Sequence, residues 1–87
     1  MKKRGIREEA DFTSELKALI PDTKESDELL RDATAWLGFM ADEGMQISNT
    51  KIFVKIVPDS KPKRFLAIFY TIDNGTVALH SIKSFSM

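Results

Sequence analysis

The side chains of this 87-residue sequence that could do chemistry are few: one histidine, His80, and a group of cations in the second half, Lys55, Lys61, Lys63, Arg64 and Lys83, with Tyr70 and Ser81 among them. Cations beside an aromatic ring on a rigid support can hold a phosphate backbone and stack a base. Lysine and arginine at strand ends also keep a sheet edge soluble, so each residue alone carries little. No cysteine is present, which excludes disulfides, thiolate catalysis and a cysteine-based zinc site. The sequence has no paired carboxylates, glycine-rich phosphate loop, Ser-His-Asp order or metal-spaced cluster, and no cofactor is expected.

Composition bounds what can position these residues. The chain is 43% hydrophobic and 30% charged, which fits one small globular domain and no second one. Its formal charge is zero but unevenly spread: from Glu8 to Met45 acids outnumber bases eleven to three, and from Lys51 onward bases outnumber acids six to two. Acids on solvated helix faces explain the first half; the basic second half could contact an anion. The start "MKKRGIREEAD" lacks the apolar core of a signal peptide, and no stretch reaches the eighteen apolar residues of a membrane span, so a cytoplasmic protein without membrane contact is expected.

Residues 1–10 hold Lys2, Lys3, Arg4 and Arg7 with Ile6 and predict a flexible basic N-terminal arm, leaving 11–87 as a single domain. Phe12, Leu16, Leu19 and Ile20 fall on one helical stripe, with Asp11 as a plausible cap and Pro21 as the stop. Asp22 with Glu25 opens a second helix over about 23–43, whose stripe is Leu29, Leu30, Ala33, Trp36, Leu37 and Met40, and Gly44 suits a positive φ after its last turn. "KIFVKIVP" predicts a strand over 51–57. In "RFLAIFYTIDNGTVALHSIK", two apolar runs meet at Asn74-Gly75, the strongest short hairpin signal, because both residues of a type I′ turn need φ > 0. The expected fold is α+β: an N-terminal helical hairpin packed on a three-stranded antiparallel β-meander, in two layers.

Counting back from the turn pairs Ile72 with Val77, Tyr70 with Leu79, Phe69 with His80 and Leu66 with Lys83; across the other hairpin Lys55 faces Leu66. One face then collects Ile52, Val54, Ile56, Phe65, Ala67, Phe69, Ala78, His80 and Ile82, and should receive the helices. The other collects Phe53, Lys55, Val57, Arg64, Leu66, Ile68, Tyr70, Ile72, Val77, Leu79, Ser81 and Lys83, with Lys55, Leu66 and Lys83 in a row. On this register His80 is a partly buried structural residue, and a one-residue slip would make it available for chemistry. Two apolar faces exceed what two short helices cover, so apolar surface should remain for a partner or a second copy, unless the sheet twists and the helices wrap its edges.

Helix pair, nearby glycine and meander, with the hairpin reading "FLAIFYTIDNG" and "TVALHSIKSF", resemble the RelE, ParE and HigB-like toxin superfamily, most of all its phage-related HigB-like branch. The resemblance spans residues 12–85 in architecture and 65–85 in residue pattern. It implies a RelE-like fold and a toxin of a toxin–antitoxin, phage or mobile-element system that binds RNA or the ribosome, with mRNA cleavage as the reaction and a cognate antitoxin as partner. Lys55 falls near a basic strand position, Tyr70 matches the aromatic, His80 the Leu-His element and Lys83 the first of a lysine pair. His80, Lys55 and Lys83 would then be catalytic, the lysines stabilising phosphate charge and His80 accepting the 2′-hydroxyl proton; Lys55, Arg64, Tyr70, Lys83, Lys61 and Lys63 would bind nucleic acid. Ala67 stands where the family usually has arginine, Ser84 stands near the second lysine, and "MKKRGIREE" shows no evident strand before the first helix. These departures keep open a non-enzymatic interaction module that uses the exposed sheet face, and a homodimer is compatible with either reading.

Overall fold

The computed structural model describes residues 4–58 and 64–86 as an α+β fold with two helices and a five-stranded mixed sheet. In chain order the elements are β1 (Gly5–Glu8), α1 (Ala10–Leu19), α2 (Thr23–Met40), β2 (Met45–Gln46), β3 (Phe53–Pro58), β4 (Arg64–Asp73) and β5 (Thr76–Ser86), and the sheet order is β1-β5-β4-β3-β2. The predicted three-stranded meander is the middle of this sheet, extended on both edges. On one side β1 pairs parallel to β5, Ile6 opposite Val77, so residues 4–8 of the expected arm are built into the fold and residues 1–3 lie outside the described residues. Arg4 anchors this end: its backbone N–H donates to Gly38 O at 2.7 Å and its guanidinium to Phe39 O at 3.2 Å.

Local signals set the helix ends. The Asp22 carboxylate accepts from the Glu25 N–H at 3.1 Å, as the capping pattern requires. For α1 the cap is Glu9, with no side-chain bond, and Asp11 sits in the first turn, where its charge complements the helix dipole. α2 stops at Met40 and continues as a 3₁₀ turn, Ala41–Glu43. Met40, placed on the buried stripe by periodicity, is exposed at this end.

Asn74 and Gly75 both take positive φ, 49° and 79°, so the hairpin turn forms where the sequence puts it. Its register holds through Tyr70–Leu79 and then shifts: Phe69 pairs with Ser81 and Ala67 with Lys83, because His80 is the extra residue of a β-bulge. On the other side Lys55 pairs with Ile68 rather than Leu66, a two-residue slip that preserves the faces.

The helices cover the face opposite to the expected one. Leu66, Ile68, Tyr70, Val77, Leu79 and Ile82 form the buried core with Phe12, Leu16, Ile20, Ala33 and Leu37. Both faces read as apolar, and the one with the larger side chains against the helices buries more hydrocarbon. Ile82 joins it because the bulge flips the last part of β5. Val54, Ile56, Phe65, Ala67, Phe69 and Ala78 line the open face.

Tyr70 is the keystone of the core. Its ring stacks on Phe53, centroids 5.6 Å apart, and its hydroxyl donates to Ala41 O. Burial pushes this hydroxyl up to about 12, with the Asp42 carboxylate adding to the shift and Arg4 opposing it. The folded state therefore favours the neutral phenol over an unfolded value near 10. That contribution, on the order of 2 kcal/mol, is complete below about pH 10 and is lost as pH rises through about 12. Denaturant midpoints should fall across that window and not in a Tyr70→Phe variant. Because Tyr70 is the one tyrosine, tyrosinate absorbance reports the same ionisation directly.

Candidate functional site

The residues singled out for phosphate chemistry do not share one place. Lys55 lies on the helix side of β3, its ammonium 4.1 Å from the centre of the Trp36 ring. Arg64, at the start of β4, donates from Nη2 to Leu19 O at 3.1 Å, so it closes the C-terminal end of α1. Tyr70 is fully buried and offers no face to a base. Lys83 lies on the open face opposite Ala67, so the row of Lys55, Leu66 and Lys83 does not form. The bulge at His80 is the reason: one inserted residue reverses the facing of everything after it on β5. Lys61 and Lys63 lie outside the described residues.

The same bulge creates a different grouping. His80 is exposed rather than packed under a helix, and its Nε2 is 2.8 Å from Thr71 Oγ1. It lines a cleft between α1 and β5 with Asp11, Ser14, Glu15, Ser81 and Lys83. β1 ends at Glu8, so α1 starts beside the bulge and lays Glu15 along the uncovered edge of β5. The Ser81 hydroxyl donates to Glu15 Oε1 at 2.8 Å, and the Lys83 ammonium bonds and ion-pairs with Oε2. Lys83 first, then Ser81, hold the Glu15 carboxyl below its ordinary range, with a smaller contribution from the Ile82 backbone N–H. Glu15 therefore stays ionised and fixes Lys83 and Ser81 beside His80.

Chemically the cleft offers an imidazole, an ammonium, a hydroxyl and an ionised carboxylate. In the tautomer that donates from Nε2 to Thr71 Oγ1, Nδ1 of His80 would be left as an acceptor, the arrangement a general base needs. Lys83 supplies positive charge a few residues along the same strand. Glu15 was not reachable from sequence, since it lies 66 positions from Ser81 and the edge it caps is exposed by the short β1. Among the described residues no group of three His, Asp or Glu side chains could hold a metal, and no helix is long and apolar enough to cross a membrane.

The open face of the sheet is the other notable surface. Met45 is 70% exposed, Ile56 40% and Phe85 38%, and Phe65 stacks on Phe85 with ring centroids 5.7 Å apart. Compared with known proteins, the chain matches no family model, no curated protein and no solved structure.

Proposed function

We propose that this chain is a RelE/HigB-like, toxin-type protein that engages RNA or the ribosome through the cleft between α1 and β5. The observation that carries the reading is the meeting of His80 and Lys83, two residues the resemblance marks on the last strand, in one cleft with a carboxylate bonded to Lys83. Strand β1 ahead of the first helix supports the RelE-like reading of the fold, since the resemblance implies such an element. Fold alone assigns no activity, so the cleft bears the argument.

In the proposed reaction His80 takes the proton of a ribose 2′-hydroxyl. The 2′ oxygen bonds to the adjacent phosphorus as the phosphorus–5′ oxygen bond breaks, and the leaving oxygen is protonated by solvent. Lys83, turned from Glu15 toward the phosphate, stabilises the charge that develops on the non-bridging oxygens. A second reading, a phage or mobile-element interaction module without catalysis, draws on the exposed Met45, Ile56 and Phe85 of the open face, which a cognate antitoxin or a second copy would cover.

Induced expression in a bacterial host separates the two. Growth arrest by the wild type, relieved by His80→Ala with Lys83→Ala at equal soluble yield, is the expected result. Arrest that the double variant retains would sink the cleft. No arrest from a well-expressed chain that associates as its concentration rises would transfer the assignment to the open face.

A further inference from the structure

A second cleft lies on the helix side of the sheet, away from His80. Leu29, Ala33 and Trp36 of α2 form one wall and Lys55, Val57 and Pro58 of β3 the other, around a cavity of about 290 Å3. That volume is near the lower end of small-molecule sites, roughly 300–1,000 Å3. Among the described residues β2 pairs only with Phe53 and Val54, which leaves β3 from Lys55 onward without a strand on that edge, beside α2.

Lys55 occupies an unusual position in it. Its neighbours on the same face, Phe53 and Val57, pack against the core, whereas Lys55 is half-buried and sends its ammonium over the indole of Trp36. Among the described residues no carboxylate comes within ion-pair distance of it. A cation held over a ring at the mouth of an apolar cleft is already partly stripped of water and keeps its charge for an incoming anion. Asp32, exposed on the α2 wall, is the sole acid among the described residues lining the cleft and disfavours a second negative charge.

We propose that this cleft binds a small organic monoanion with a compact apolar body, an aryl or branched alkyl carboxylate, whose ring lies against Trp36 and whose carboxylate meets Lys55. Trp36 is the one tryptophan of the chain, so its fluorescence reports occupancy of the cleft itself.

The test is a titration of the full chain with 4-phenylbutyrate and, in parallel, 4-phenylbutanol, which has the same apolar body without the charge. A saturable change in Trp36 fluorescence is expected for the acid, with Kd on the order of millimolar for so small a ligand. The alcohol should bind about fivefold more weakly, the scale of a partly exposed ion pair. Lys55→Met, which retains the aliphatic stem, should lower the affinity for the acid to that for the alcohol; Lys55→Arg should keep the preference, and Asp32→Asn should strengthen it. Equal affinity for acid and alcohol in the wild-type chain would overturn the proposal, as would the lack of any saturable signal with the acid. Unchanged binding by a folded Lys55→Met variant would overturn it too and reduce Lys55 to a guard of the strand edge.

Discussion

Replacing Gly44 with alanine is expected to destabilise the fold by roughly 2–3 kcal/mol. A Cβ on Gly44 would lie 2.0 Å from the Tyr70 hydroxyl oxygen and 3.1 Å from its Cζ. Tyr70 has nowhere to retreat: its ring is stacked on Phe53 within the core and its hydroxyl is tied to Ala41 O. Room for the methyl group therefore comes only from breaking that hydrogen bond or displacing the turn after α2. The glycine is not there for a left-handed backbone, as its place after the helix suggests, because its φ is −69°. Tyr70→Phe alone should cost about 1 kcal/mol for the lost hydrogen bond. In that background Gly44→Ala should cost distinctly less than in the wild type, because the closest clashing atom is gone. Denaturant midpoints of the four proteins give the coupling, and equal costs in the two backgrounds would refute the steric account.

Removal of His80 should separate stability from activity more sharply than any other change. The pairs on either side of the bulge, Tyr70 with Leu79 and Ile68 with Ile82, are already those of a regular ladder. Deleting His80 leaves Ser81 opposite Phe69 and keeps Ile82 in the core, so the expected cost is within about 1 kcal/mol. Activity, on the proposed mechanism, should fall at least about a hundredfold in both the deletion and His80→Ala, since a general base contributes typically 10²–10⁴. Thermal melts and growth arrest measure the two effects. A deletion that keeps full arrest would make the bulge a folding detail with no chemistry attached to it.

The turn at Asn74-Gly75 was legible because its backbone requirement is local, and the register next to it followed. Beyond Leu79 the reading failed at a single residue. A bulge leaves no mark in a strand where both alternating sets are apolar, and neither Phe65, Ala67 and Phe69 nor Leu66, Ile68 and Tyr70 announces itself as the core side. The fit of Tyr70 under Gly44 and Ala41 adds to the hydrocarbon buried on that side, and that fit joins residues about 26–29 positions apart. β1 was hidden for a related reason: a four-residue parallel edge strand buries only Ile6 on the core side, too little for a periodic signal. At the site, His80 and Lys83 were visible as residue types, but their assembly with Glu15 depends on the bulge and on where β1 stops. Lys55 was separated from them by the same inserted residue.

The measurement closest to the central claim is mapping of mRNA 5′ ends after incubation of translating ribosomes with the purified chain, with His80→Ala plus Lys83→Ala, and with Lys55→Ala. The wild type and Lys55→Ala should produce the same new ends and the cleft variant none, because the chemistry belongs to the edge of β5. New ends that persist in the cleft variant and vanish with Lys55→Ala would contradict it and return the chemistry to the basic strand position on β3.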